Sequence, residues 1–325
     1  MEELLPFEKI DREVLIKREA IGSDEFGCFP NERPIEELIN YGIINLNKPS
    51  GPTSHQVSDY VQRILNISKA GHSGTLDPKV TGALPIALGR ATRIVQTLLK
   101  SGKEYVGLMH LHKEVSESEI NILAKEFIGK IKQIPPIRSA VKRREREREI
   151  YYLKILEISD KEVLFKIGCE AGFYIRKFCV QFANKLNTNA HLVQLVRTKA
   201  GPFTDKDWYS LHDLKDAYTL YKEENNEKDL KKIILPVEDA IRHLPKIWIL
   251  DSAVNTVCHG ANLSVPGISK LESCVKKDDS VAILTLKNKL VCLGKALINS
   301  EEILSEEKAV AVKTSKVFME RNTYK

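Results

Sequence analysis

The sequence predicts an α+β fold with a largely antiparallel or mixed sheet, followed by a small β-barrel-like module. Three observations carry this. The chain has 325 residues, longer than one typical domain and enough for two cores. Strand and helix patterns follow one another without a regular βαβ alternation, which argues against a doubly wound parallel sheet. The stretch 244–325 holds several short β segments and one short helix, as in small barrels.

Residues 1–40 are charged and rich in turn formers between Gly22 and Pro34, an N-terminal extension before the first core strand. That strand is 42–47 (GIINLN), ended by the turn cluster Lys48-Pro49-Ser50-Gly51-Pro52. Ser54 is placed to cap a helix with Val57, Val61, Ile64 and Leu65 on one stripe. Residues 71–78 (GHSGTLDP) form a loop by composition, and 82–89 a short buried strand. A helix is expected over 90–99 and a strand over 103–111. Ser116 and Glu119 make a capping box for a helix carrying Ile120, Leu123 and Phe127. Strands at 151–158 and 162–170 flank a turn at Ser159-Asp160-Lys161. A helix over 173–186 and a strand over 191–198 complete this part. The polar run 222–232 (KEENNEKDLKK) marks a surface helix or connection near a domain boundary. Beyond Pro245 come a strand at 246–250, a helix capped by Asp251 and ending at Gly260, and strands at 282–286, 291–296 and 310–313.

The chain is 42% hydrophobic and 29% charged, an ordinary globular balance. Its longest apolar runs fall short of a membrane span. The opening MEELLPFEKIDREVLIKRE mixes both charge signs and is not a secretory signal. A soluble intracellular protein is expected. A net charge of +6 with a pI near 8.8 is a weak pointer to nucleic acid. The six cysteines form no C-x-x-C pair, so free thiols in a reducing cytoplasm are expected rather than zinc or disulfides. His110 and His112 share one face of a strand. With no third ligand nearby in sequence they read as a strand face, and no metal site is expected.

The segment Gly71-His72-Ser73-Gly74-Thr75-Leu76-Asp77-Pro78 carries the chemistry. Its two glycines permit tight turns and close approach to a ligand. Pro78 holds Asp77 out of the helical region. An aspartate there is a nucleophile, a general base or a cap of the next turn, and spacing alone favours the cap. A nucleophile elbow is excluded because Thr75 stands where G-x-S-x-G needs glycine. A P-loop is excluded because no Gly-Lys-Ser/Thr follows.

Together, N-L-N-K-P-S-G-P-T-S-H (45–55) and G-H-S-G-T-L-D-P-K-V-T-G (71–82) resemble motifs of the TruB/dyskerin family of RNA pseudouridine synthases. K-E-Y-V (103–106), G-C-E-A-G-F-Y-I-R-K-F-C (168–179) and L-V-R-T-K-A-G-P-F (195–203) continue the same order. Residues 244–268 then resemble a PUA module. P-I-R-S-A-V-K-R (136–143) and this PUA type are similar to the archaeal and eukaryotic branch, and the missing basic tails point to the archaeal form. The resemblance implies a mixed-sheet catalytic domain over 41–243 and a β-barrel PUA domain over 244–325, with residues 1–40 packing on the latter. Two departures stand out: Val180-Gln181 where archaeal members have His-Asp, and Asn187-Thr188-Asn189 in place of a glycine-rich turn.

By resemblance, Asp77 is the catalytic carboxylate, which breaks the uracil glycosidic bond and lets the base reattach through carbon. Arg176 lies on an apolar helix and either snorkels to the surface or, as the family pattern implies, pairs with Asp77 as a buried partner that keeps it ionised. Tyr105 is either a core aromatic or, by resemblance, the residue that stacks on the flipped uracil. The resemblance makes Ile175 and Leu195 apolar walls, His72 a holder of the extruded nucleotide, and Lys48 a further substrate contact. The stripe KRRERERE (142–149) reads as a solvated hairpin or, by resemblance, a thumb-like loop whose Arg144, Arg146 and Arg148 face substrate RNA. In the PUA module, Asp251, His259, Gly260, Ala261 and Leu263 correspond to the pocket for the ACA end of a guide RNA.

No metal or organic cofactor is implied, because the isomerisation needs no redox change or group donor. Implied partners are an H/ACA guide RNA, substrate rRNA or tRNA, a small zinc-binding-type subunit, a β-barrel substrate-release subunit and a kink-turn-binding ribosomal-type protein. A guide-independent tRNA synthase is the alternative enzyme, and a non-catalytic PUA-type RNA-binding scaffold the alternative of another class.

Overall fold

The computed structural model describes residues 3–135 and 143–324. The segment 136–142, which includes Lys142 of the charged stripe, lies outside the described residues. The chain forms two compact units, one of Met1–Lys9, Ile44–Ala87 and Val95–Asn226, the other of Ile10–Ile43, Leu88–Ile94 and Glu227–Lys325.

In the first unit the sheet runs in the order Gly42–Lys48, Thr81–Leu88, Ala190–Ala200, Lys103–Leu111, Glu162–Cys169, Arg146–Ser159 and Gly129–Gln133. Thr81–Leu88 lies parallel to Ala190–Ala200. The pairs from there through Lys103–Leu111 to Gly129–Gln133 are antiparallel, so the sheet is mixed. Alternate residues of these strands, among them Met109, Phe165, Ile167 and Leu195, face one apolar core. Helix Ile175–Lys185 closes that core with Phe178 and Phe182, and helix Glu117–Glu126 adds Ile120 and Leu123. Phe127 meets Phe178 edge-on at 5.6 Å between ring centres, a favourable aromatic geometry.

Local chemistry explains where elements begin and end. Ser116 accepts from the Glu119 amide, and the Glu119 carboxylate returns to Ser116, the expected box. Asp160 takes a left-handed backbone at φ 51° in the turn after Arg146–Ser159. Asn187 does the same at φ 54° after Ile175–Lys185. Asparagine tolerates this conformation, which accounts for its standing in a turn otherwise suited to glycine. Gln181 donates to the Lys132 carbonyl at 2.8 Å and accepts from Gln133, tying its helix to the neighbouring strand.

The structure corrects several expectations. Thr53, not Ser54, caps helix Ser54–Leu65. Ala70–His72 is a short strand where a loop was expected, paired with Thr81–Leu88. The expected helix over 90–99 divides into a 3-10 turn at Gly89–Ile94 and an α-helix at Val95–Lys100. Arg146–Ser159 begins five residues before the expected strand, because the charged stripe pairs with Gly129–Gln133.

In the second unit seven strands follow the order Val14–Ile16, Ile268–Glu272, Lys246–Ile249, Ser280–Thr285, Leu290–Ala296, Val310–Val317 and Leu263–Ser264. They surround a core that includes Ile247, Val257, Ile283 and Val312. Val14–Ile16 pairs antiparallel with Ile268–Glu272. Arg12 secures it by bonds to Glu272 at 3.0 Å and to the His243 and Leu244 carbonyls at 2.8 and 2.7 Å. Asp251 does not cap its helix: Leu250 holds that position, and the Asp251 carboxylate accepts from the Ser23 amide at 2.7 Å. Among the described residues no helix is long and apolar enough to cross a membrane.

Candidate active site and nucleic-acid interface

Asp77 sits on the loop between strands Ala70–His72 and Thr81–Leu88. Gly74 turns this loop at φ 131°, and Gly82 takes φ 105° with its Cα facing the Arg197 backbone. A methyl group at Gly82 would stand 2.3 Å from the Arg197 carbonyl oxygen, so the two strands meet there only through glycine.

The Asp77 carboxylate accepts from Arg176 Nη2 at 2.6 Å. Arg176 is the second residue of helix Ile175–Lys185. The pairing expected from resemblance is present, but not its burial: the Arg176 and Asp77 side chains are 63% and 52% exposed. Arg176 therefore orients a solvated carboxylate.

Beneath this pair lies apolar surface. Leu76, Val80, Ile175 and Leu195 belong to the core, and the half-buried Tyr105 packs against it. Tyr105 stands in register with Arg197 on Ala190–Ala200. Burial pushes the Tyr105 phenol up, the Arg197 charge and hydrogen bond oppose this, and the Asp77 charge adds to it. Arg197 itself is buried, at 1% exposure. It donates through Nε to the Ala83 carbonyl at 2.7 Å and through Nη2 to the Gly74 carbonyl at 3.4 Å. One guanidinium thus links the Asp77 loop at Gly74 to strand Thr81–Leu88 at Ala83.

Lys48 has a different task from the substrate contact expected of it. It is fully buried, and its ammonium donates to the carbonyls of Pro49, Pro78 and Val80 at 2.8, 3.0 and 3.0 Å. These three bonds use its three donors. Burial pushes its amine down while the Asp77 charge holds it up. His72 lies edge-on to His55, 4.8 Å between ring centres. Burial, then the charges of His55 and Arg197, push its imidazole down to about 4, so it is neutral at physiological pH.

On the charged stripe, Arg146 and Arg148 are half-buried and stand in register with Gln133 and Ile131. Glu147 and Glu145 point the other way and meet Lys130 and Lys132 at 2.9 and 3.3 Å. The charges segregate by face as the alternation predicts. Arg144 precedes the strand and is exposed.

In the second unit His259, Gly260 and Ala261 are exposed at the end of helix Asp251–Cys258. Gly260 has φ 92° and open space where a side chain would be. Leu263 does not join them: it is 1% exposed and pairs with Val312 in the core. The structure also adds Arg197 and His55, the latter against His72, which spacing did not single out, and gives Ser54 a partner in Leu76 in place of the expected cap. The sequence offers no clear signal for Arg197, because its strand also carries His191, Gln194, Thr198 and Lys199. His191 approaches both His110 and His112, His112 Nε2 standing 3.2 Å from His191 Nδ1. Among the described residues no group of three such side chains is arranged to hold a metal.

The chain matches the models of the TruB family pseudouridylate synthase N-terminal domain over 62–175, the tRNA pseudouridylate synthase B C-terminal domain over 176–242, the PUA domain over 245–318 and the DKCLD domain over 3–58. It is 56% identical over 317 residues to a probable tRNA pseudouridine synthase B of Pyrococcus horikoshii, covering 97% of this chain and 95% of that protein. The counterpart in Methanopyrus kandleri is 52% identical over 320 residues, covering 98% and 94%. Among solved structures, a chain of a Cbf5-Nop10-Gar1 complex superposes with a TM-score of 0.94 at 53% identity, over 99% of this chain and 98% of that one. A chain of an H/ACA RNP bound to a substrate RNA containing 2'-deoxyuridine gives 0.93 at 50% identity, over 99% of each.

Proposed function

Because the chain belongs to the TruB family of pseudouridylate synthases, we propose that it isomerises specific uridines in RNA to pseudouridine as the catalytic subunit of a guide-RNA-directed H/ACA particle. The observation that carries this is the 2.6 Å bond from Arg176 to Asp77 above the apolar wall of Tyr105, Ile175 and Leu195. It joins a carboxylate held in a fixed orientation to a surface on which a planar base can lie.

Asp77 acts as nucleophile or base while the glycosidic C–N bond breaks. The base turns within the pocket, a C–C bond forms between C1′ and its C5, the C5 proton leaves to solvent, and N1, which kept the electron pair of the broken bond, takes up a proton from solvent. Atoms and electrons balance without a donor or oxidant. Tyr105 stacks on the extruded uracil, and neutral His72 helps to hold the nucleotide out of its stack. Arg144, Arg146 and Arg148 meet the RNA backbone, a contact that weakens with salt. His259, Gly260 and Ala261 meet the guide's ACA end.

The partners proposed are the guide RNA, subunits of the kind in the Cbf5-Nop10-Gar1 complex, and a kink-turn-binding ribosomal-type protein. The substrate is rRNA, and the work is cytoplasmic. A second, guide-independent activity on the TΨC arm of tRNA is favoured by the relatives that bear the name tRNA pseudouridine synthase B. The bonded Asp77 and Arg176, with Tyr105 feeling the Asp77 charge, weigh against a non-catalytic scaffold.

Tritium release from C5-labelled uridine in rRNA and tRNA fragments, with and without guide RNA and partner proteins, tests the reading. Release from rRNA that depends on the guide is expected. No release from either RNA in the full particle would overturn it.

A further inference from the structure

Ser54 and Thr53 are adjacent hydroxyl residues at the start of one helix, but they do different things. Thr53 caps the helix: its hydroxyl accepts from the Gln56 amide at 3.2 Å, and the Gln56 side chain returns to the Thr53 amide at 2.8 Å. The Ser54 hydroxyl is thereby free of capping. It is fully buried and turned to the catalytic loop. Its oxygen accepts from the Leu76 amide at 2.9 Å, and its proton goes to the Leu76 carbonyl at 3.2 Å.

We propose that Ser54 is a positioning residue for Asp77, acting through both polar groups of the Leu76 backbone. The proposal rests on the pseudouridine synthase reading above. The peptide bond is planar, so fixing the Leu76 carbonyl fixes the plane that carries the Asp77 nitrogen. The plane on the other side of Asp77 is held independently, because the Asp77 carbonyl accepts from the Val80 amide at 3.0 Å. With both flanking planes set, φ and ψ of Asp77 are set. The carboxylate then needs only its side-chain torsions fixed, which Arg176 does. Leu76 is 4% exposed, so water does not readily replace a lost partner. Ser54 touches no reacting atom, and its effect is one of aim. Small errors of aim at a reacting carboxylate cost rate steeply, about a hundredfold for roughly 1 Å.

The test compares Ser54→Ala with Ser58→Ala in the full chain assembled with guide RNA and partner proteins. Ser58 is a control on the same helix, also buried, whose hydroxyl bonds to the Ser54 carbonyl at 3.1 Å and not to the loop. Ser54→Cys, similar in size but a weaker donor, serves if the alanine variant does not fold. Single-turnover rates at saturating RNA, RNA affinity and hydrogen exchange at the Leu76 amide are read together. Ser54→Ala is expected to lose about tenfold or more in rate, with RNA affinity within about twofold and faster Leu76 exchange. Ser54→Cys should fall between it and the wild type, and Ser58→Ala should keep the wild-type rate. A wild-type rate in either Ser54 variant, an equal loss in Ser58→Ala, or unchanged Leu76 exchange would overturn the proposal. Inactivity of the wild-type particle would instead count against the enzymatic reading, and the exchange measurement would still decide the positioning claim.

Discussion

Arg176 Nη2 lies 2.6 Å from Asp77 Oδ2, yet both side chains are more than half exposed. Removing one partner of a buried pair costs about 3–5 kcal/mol because it strands the other charge, whereas a solvated pair is worth about 0–1 kcal/mol. Arg176→Ala should therefore reduce the single-turnover rate about a hundredfold through lost orientation and leave stability within about 1 kcal/mol of wild type. Kinetics and thermal unfolding on the same preparation check this. A large loss of stability would restore the buried-pair reading.

Lys48 should behave in the opposite way. Its substitution by methionine leaves the carbonyls of Pro49, Pro78 and Val80 without their ammonium. The Val80 bond is the buried one, and the Pro78 carbonyl keeps the Gly51 amide at 2.9 Å. Lys48→Met should lower stability by about 1–3 kcal/mol, the cost of one buried unsatisfied acceptor, and reduce turnover, while RNA affinity at fixed salt changes little. A selective loss of RNA binding with normal stability would return Lys48 to the substrate.

His72 supplies a pH prediction. Its imidazole is held down to about 4, first by burial, then by His55 and Arg197. A folded value below the unfolded one means that the unfolded chain binds the extra proton first. The His72 contribution is thus intact above the ordinary histidine range near 6.5. It is lost as pH falls from there to about 4. NMR titration should show no His72 transition near neutrality, and His72→Gln should flatten the acid limb of the stability curve. A His72 midpoint near 6.5 would contradict this.

Much of this architecture was legible in the sequence, for identifiable reasons. The Ser116–Glu119 box and the strand at Lys103–Leu111 appeared where they were expected, because local capping and alternation decide them. The sign and face of Arg146 and Glu147 followed from period two. The burial of Lys48 and the exposure of Arg176 did not follow, because both depend on which distant backbone groups the fold brings near. Ser54 was misread as a cap because Thr53 beside it has the same chemistry, and only the loop at Leu76 separates their roles. Leu263 illustrates the same limit: the turn containing Ala261 was legible, but not which of its residues points inward.

The exposed turn at Gly260 gives a prediction for guide recognition. Gly260→Asp meets open space and costs roughly 1–2 kcal/mol for its left-handed backbone. It places a negative charge beside His259 and Ala261. Competition between two guides that differ only in the ACA trinucleotide should show preference in the wild type and its loss in Gly260→Asp. Salt-sensitive nonspecific binding should persist. Retained preference in the variant would move the guide contact elsewhere.

The central claim is that Asp77 supplies the reacting carboxylate, and Asp77→Asn tests it most directly. Asparagine keeps the shape and can still accept from Arg176, but it cannot act as nucleophile or base. The measurement is pseudouridine formation under single-turnover conditions by the purified variant in the complete particle, with folding and guide-RNA affinity measured alongside. The account predicts no detectable product with fold and affinity preserved. Turnover close to wild type would contradict it.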